Sequence, residues 1–322
     1  MISIISDGSD SEWNQRLQNV GLGTIYQSRE WGSIISSSGG KPIFLKFVDK
    51  YGRIVGQLLI NEVSNDLKSG SIKKLLKKIP LYKKPLCKWT YGPAIFDASY
   101  SSEIYSALGD FLRSKNCRVS GWQHPLFIDG IKTLEKSFNL EPWGTFLIDL
   151  HKNKEDLYNS IEKRSGRKNI ERSIERGVTV EEITEKNLVE YNELFNQYAK
   201  SAGKEETDFE HLSNWWHSLK PLGYSGFLAR KDNVPVGGLL FSYFNRYIIE
   251  GGVARSEEDA KNMLYSQDLI KWKIIEWGIE NKMDYYDLAG FNPKPLSKKE
   301  EGIFRYKRKW GGKQYDYWIL KG

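Results

Sequence analysis

Two stretches decide the fold: IFLKFVDKYGRIVGQLLI at residues 43–60 and GFLARKDNVPVGGLLFSY at residues 226–243. Each reads as two alternating apolar runs about a turn, the pattern of a β-hairpin. The first turns at Asp49-Lys-Tyr-Gly52 and the second at Asp232-Asn233, and both carry Val-Gly early in the second strand, Val55-Gly56 and Val236-Gly237. Working outward, the pattern predicts a third strand over 88–96 and again over 246–254. It then predicts a helix over 101–115 and 266–281, and a further strand over 117–122 and 283–288.

Hairpin, strand, helix, strand, twice in one chain of 322 residues, is too much order for chance. That unit is the core of the Gcn5-related N-acyltransferase (GNAT) fold. The expectation is therefore an α/β (α+β) protein of two tandem GNAT-like domains, each a mixed sheet flanked by helices, at 1–146 and 147–322. The copies differ in one interval: Gly56 to Ser101 is 45 positions, Gly237 to Ser266 only 29, so the first holds 16 extra residues.

The charge falls in that interval. The net charge is +7, and residues 67–88 hold eight lysines and no acid, so the remainder of the chain is slightly negative. Within the insertion at 65–88, Ile72, Leu75, Leu76 and Ile79 take one helical face and Lys73, Lys74, Lys77 and Lys78 the other, ending at Pro80. A basic amphipathic helix of this kind suits an anionic membrane surface or nucleic-acid phosphates; its plainer role is a stripe docked on its own domain with solvated lysines.

Other classes are excluded or disfavoured. The first residues lack a charged and then apolar leader, and the longest nearly apolar run, 234–244, is far short of the roughly 20 residues of a membrane span. Cys87 and Cys117 make no disulfide framework and suit a reducing cytosol. Four histidines without zinc spacing, and no phosphate-loop or dinucleotide motif, leave no metal or redox cofactor expected.

Between the repeats, Asn153 is an N-cap candidate and Gly177 a helix stop, but Leu157 and Ile161 share one face and Ile170 and Ile174 another. The face switches near Ser165-Gly166, which predicts a kink or two helices. Arg164, Lys168, Arg172 and Arg176 recur every four residues, a solvated face or a contact for a phosphate-bearing ligand. At the C-terminal end, a strand closing at Leu288 leads through Ala289-Gly290 into a Pro-containing loop, a basic helix around 301–309, Gly311-Gly312 and a last strand.

Asp287-x-x-Gly290 followed by Gly302-Ile-Phe-Arg305-Tyr306-Lys307-Arg-Lys-Trp310-Gly311 resembles the FemABX family of peptidoglycan-bridge aminoacyltransferases, nearest to its shorter FemX type without a coiled-coil arm. So do Gln27-Ser-Arg29-Glu-Trp31-Gly32, Tyr91-Gly92-Pro93, Thr145–Leu150 and Arg167–Val178, in the same order over residues 20 to 320. The resemblance implies transfer of an amino acid from aminoacyl-tRNA to an amine of a cell-wall peptide precursor, lipid-linked or free. The expected protein is a cytoplasmic monomer, and the lysines of 68–84 add an expected peripheral contact at the inner face of the membrane. Lys307 matches the family lysine that supplies positive charge beside the acyl group, and Tyr306 stands where the family has Phe against the terminal adenosine. Arg305 follows as a substrate contact; Arg29 resembles the basic residue that some members aim at the acceptor's diphosphate, and Trp31 is a substrate-binding candidate whose plainer reading is core. Asp97, just beyond Tyr-Gly-Pro, is the candidate to position or deprotonate the amine, with a helix-start role as the plainer reading. In the stretch 198–204, where many members have Arg, Lys204 is the basic residue. Arg164, Lys168, Arg172 and the four insertion lysines are the candidates for tRNA or membrane contact.

Acyl-CoA chemistry is the alternative, and a non-catalytic binding module a third. The CoA reading is disfavoured because the turn before the second repeat's helix, Val253 to Asn262, has no glycine and three acids, which oppose a pyrophosphate.

Overall fold

The computed structural model describes residues 2–21, 23–64, 84–203 and 205–322. Lys73, Lys74, Lys77 and Lys78, and likewise Lys204, lie outside the described residues.

The chain divides into two compact units, residues 1–144 with 316–322, and residues 145–315. The first contains β1 (Ser3–Ser6), β2 (Lys41–Val48), β3 (Ile54–Val63), β4 (Leu86–Trp89), β5 (Ala94–Ile95) and β6 (Arg118–Trp122). The order is β1-β2-β3-β4-β6, antiparallel except for β4 beside β6. That pair is parallel because helix Ser101–Lys115 carries the chain across between them. Its Ile104, Leu108 and Leu112 face Leu45, Leu58, Ile60 and Val119 in one buried cluster.

The third strand expected over 88–96 is two pieces. Tyr91 adopts a left-handed φ of 48° before the cis Gly92-Pro93 peptide, and β5 rejoins β3 at Gly56↔Ile95. Proline has no N–H for a ladder, so the break falls there.

The second unit repeats the plan. It contains β8 (Val178–Glu182), β9 (Tyr224–Lys231), β10 (Val234–Phe244), β11 (Tyr247–Arg255) and β12 (Tyr285–Asp287). The order is β8-β9-β10-β11-β12, with only β11 and β12 parallel and helix Ser266–Glu280 crossing between them. The two-residue turns Asp232-Asn233 and Asn245-Arg246 all have positive φ, the hairpin geometry that matches strand twist. Ten of the fifteen residues of helix Ser266–Glu280 are buried, so this helix is hidden on more than one side.

The second unit opens with its own outer strand, and the first takes one from the end of the chain. Residues 147–149 of β7 (Asn139–Asp149) pair antiparallel with β12, and residues 319–321 of β13 (Lys313–Lys321) pair antiparallel with β6. The last residues thus belong with the first unit, whereas the repeat by itself assigns 147–322 whole to the second; the edge of β6 is the reason.

Between β7 and β8 the expected break into two helices is present, but Leu157, Ile161 and Ile170 share one core and Ile174 is exposed. Helix Lys154–Ser160, capped by Asn153 on the Asp156 amide at 2.8 Å, is followed by a π-helical turn, Lys163–Arg167, and helix Lys168–Glu175, which ends at Gly177 with φ 74°. Among the described residues no helix is long and apolar enough to cross a membrane.

Candidate functional site

In the second unit β11 and β12 pair as far as Ile249↔Asp287, after which they part. β11 runs on to Arg255 through a bulge in which Gly251 and Gly252 oppose Leu240 alone. A Cβ on Gly252 would sit 2.5 Å from the Tyr191 hydroxyl, so no side chain fits there. Bulges re-aim side chains beside sites. Here Glu250, at the fork, pairs with Lys271 of helix Ser266–Glu280, and the Tyr286 hydroxyl donates to it at 3.2 Å. Both charged side chains are nearly out of water, so each depends on the other.

The loop leaving β12 is held from two sides. Asp287, fully buried, accepts from the Thr145 hydroxyl at 2.5 Å, from the Tyr247 hydroxyl at 2.8 Å and from the Ala289 amide at 2.8 Å, which fixes Ala289 at φ 61°. From the other side the Lys307 ammonium donates to the carbonyls of Leu288 (2.6 Å), Ala289 (3.0 Å) and Gly290 (3.0 Å). Three donors meet three acceptors, so the ammonium is fully occupied. Burial pushes its pKa down, countered in part by Glu250.

Helix Lys298–Arg308 delivers that lysine. Ser297 caps it on the Glu300 amide, acids fill its first turn and Arg305, Lys307 and Arg308 its last, in keeping with the dipole. Tyr306 turns inward: its ring is faced by the ammonium groups of Lys309 (4.3 Å) and Lys271 (5.5 Å), and its buried hydroxyl has no hydrogen-bond partner among the described residues. Burial, then Asp268 and Glu250, drive the Tyr306 pKa well up. Lys309 pairs with Asp268 and donates to the Ser165 carbonyl at 2.9 Å. Lys307, Tyr306, Lys271, Glu250, Lys309 and Asp268 thus make one buried polar centre.

The other predicted residues are placed as follows. Arg305 is exposed on the same helix. Arg164, Lys168 and Arg172 are exposed on the π-turn and the helix after it. In the first unit, Arg29 opens helix Arg29–Ser37, donates to the Asp10 carbonyl at 2.7 Å and lies 5.8 Å over the Phe44 ring. Trp31 is half-buried, edge-on to Tyr26 at 4.9 Å. Asp97 is exposed and caps the turn before helix Ser101–Lys115, accepting from the Ser99 amide (3.0 Å) and hydroxyl (2.6 Å), which holds its pKa down. Lys307 and Tyr306 belong to one unit, Asp97, Arg29 and Trp31 to the other.

Sequence reasoning missed Glu250, Lys271, Asp268 and Lys309. The available signal was Lys271 and Asp268 lying amid Leu269, Ile270, Ile274 and Ile275, polar residues on the buried side of a helix.

The start of helix Ser266–Glu280 is where an anion would be welcome. It already has one: the Ser266 amide donates to Asp259 at 2.8 Å, and Asp259 is fully buried and paired with Arg255. The cavity of about 670 Å³ beside it is bordered by Glu190, Glu193, Glu257 and Glu258 as well as Arg255 and Lys200. In the first unit the corresponding helix start is covered by backbone, since a Cβ on Gly130 would lie 2.6 Å from Ser101. The parallel pair there is filled by the Trp89 ring against Gly121. Among the described residues no cluster of His, Cys, Asp and Glu is placed to hold a metal ion.

No protein-family model matches the chain, and no curated protein matches its sequence. Solved structures do. FemX superposes with a TM-score of 0.72 at 14% identity, over 99% of this chain and 96% of that one. The structure named L-PGS from Bacillus licheniformis gives 0.59 at 12%, over 98% and 93%. A tandem GNAT protein from the clavulanic acid biosynthesis pathway gives 0.55 at 11%, over 100% and 98%. The chain has the double GNAT fold, and FemX, whose type the C-terminal motif resembles, shares it over nearly the whole length.

Proposed function

We propose that the protein is an aminoacyltransferase of the FemX kind, moving an amino acid from aminoacyl-tRNA to an amine of a cell-wall peptide precursor. The observation that carries this is the closed helix start at Ser266: where a CoA-dependent GNAT would hold a pyrophosphate, this chain keeps its own carboxylate, Asp259. The strand fork remains, with the Lys307 ammonium beside it.

The reaction is aminolysis of an ester. The neutral amine attacks the acyl carbonyl, a C–N bond forms, and the C–O bond to the ribose breaks as the amine's proton passes to the departing ribose oxygen. Lys307 gives up one of its three carbonyl acceptors for the developing oxyanion, which a buried donor stabilises strongly. Its lowered pKa makes the freed N–H the stronger donor.

The test offers charged tRNA or acetyl-CoA with peptide precursors bearing a free amine. Transfer from charged tRNA, falling about 10²–10³-fold in kcat for Lys307→Met, is the expected result. Transfer from acetyl-CoA alone sinks the reading; full activity in Lys307→Met sinks the role of that lysine; no transfer from either donor leaves a binding module.

A further inference from the structure

The π-turn Lys163–Arg167 is not required by the sheet, and such turns concentrate at functional places. It is built onto the end of the helix that carries Lys307. The Glu162 amide donates to the Lys309 carbonyl at 2.8 Å, Lys309 and Asn169 both donate to the Ser165 carbonyl (2.9 and 2.6 Å), and Gly166 lets Ile161 pack where a Cβ would be 2.3 Å away. Two elements far apart in sequence are thereby fused into one surface.

That surface is cationic. Lys163, Arg164, Lys168, Arg172, Arg305 and Arg308 are all exposed, and among the described residues none is within ion-pair distance of a carboxylate. Elsewhere most partly buried cations are paired, as Arg230 is with Glu181 and Glu190. Of the acids on these two elements, Glu162 accepts from the Ser165 hydroxyl (2.9 Å), Glu171 from the Tyr158 hydroxyl (3.0 Å) and Glu300 from the Leu296 amide (2.5 Å); Glu175 and Glu301 stand at the ends away from the junction.

We propose that these six side chains form one ridge that tracks the phosphates of the donor RNA's acceptor end toward the strand fork. The inference rests on the aminoacyl-tRNA reading above. Its direction comes from the chain itself: Arg305 and Arg308 flank Lys307 on one helix, so the cations begin at the acyl site and lead away from it. An RNA whose 3′ ester must reach Lys307 has phosphates along such a path. Lysines and arginines on exposed backbone give no base reading, so the ridge accepts any charged tRNA and leaves choice of amino acid to the fork.

The experiment measures binding of total charged tRNA over a range of KCl, with transfer assayed in parallel. Two variants reverse charge on the ridge, Arg164→Glu/Lys168→Glu and Arg305→Glu/Arg308→Glu. A third, Lys132→Glu/Lys136→Glu in the first unit, makes the same net-charge change, and circular dichroism checks that all three fold. Expected is a dependence of log Kd on log salt that flattens by roughly 1.5 in each ridge variant and little in the control, about 0.7–0.9 for each phosphate no longer neutralised. A wild-type protein that transfers from tRNA, with ridge variants of unchanged slope, overturns the ridge alone. A wild type that neither binds tRNA nor uses it overturns the donor assignment and the ridge together. Binding to phosphatidylglycerol vesicles abolished in the ridge variants, with the tRNA slope intact, overturns it in favour of a lipid surface. Vesicle binding abolished only on deleting residues 68–84 leaves the ridge to RNA and gives membrane attachment to the insertion.

Discussion

Buried ionisable side chains cluster at the strand fork, and most are kept in order by an opposite charge or a set of carbonyls. Lys307 was legible from its place in the C-terminal motif; its three carbonyl acceptors were not, because they come from a loop whose path is set by Asp287 and Thr145. Lys271 and Asp268 escaped sequence reading for a related reason: periodicity marks which face is apolar, but not that a polar residue on that face meets an opposite charge from another element. In the first unit His124 is fully buried and held down to about 3 by loss of water, with Nδ1 accepting from the Leu126 amide at 3.2 Å. It is neutral in the native protein, whereas the unfolded chain takes up a proton below about 6.5. Stability is therefore present above that value and is lost as pH falls toward 3, by at most about 1.4 kcal/mol per pH unit. His124→Asn keeps an acceptor but cannot titrate. Urea midpoints of the first unit should fall less steeply from pH 6.5 to 4 in the variant, and equal slopes would reject His124 as the source.

Elements were read well where period and caps agreed. Helix 101–115, the helix expected over 266–281, both hairpins and the break at Ser165-Gly166 lie where the pattern put them, to within a residue. The break at Tyr91-Pro93 was missed because the run KWTYGPAIF alternates like a strand on both sides of its proline. Two glycines in the C-terminal motif separate local propensity from packing. Gly302, inside helix Lys298–Arg308, has open space where a Cβ would go, whereas Gly311 has φ 73° and would place its Cβ 2.5 Å from the Ser160 carbonyl. Gly302→Ala should stabilise the second unit by up to about 1 kcal/mol, and Gly311→Ala should destabilise it by roughly 1–3 kcal/mol. Differential scanning calorimetry reads both; a neutral Gly311→Ala would mean that the packing against Ser160 yields easily.

At the scale of the whole molecule, the repeat was visible in sequence because both copies preserve hairpin, strand, helix and strand in one order. The return of the last strand to the first unit was not, since nothing in residues 316–322 says which β-edge they cover. They lie against β6, where Ile319 and Leu320 pair with Trp122 and Gly121 and the Val119 amide donates to Gly322 at 2.8 Å. Removing residues 316–322 bares that edge and takes buried Ile319 and Leu320 from the core. Limited proteolysis should then cut within 1–144 first while 145–315 stays protected; cleavage spread evenly over both would refute the assignment. The same arrangement orders events during synthesis. The half of the chain made first cannot close its sheet until residues 316–322 have left the ribosome, while the half made second has its outer strand in hand from the start. The nascent first unit waits with one flank open for the time taken to make some 170 further residues, about ten to thirty seconds at ordinary elongation rates. A chaperone that shields that flank would act on the early half of the chain, and slowing elongation would endanger it more than the later one.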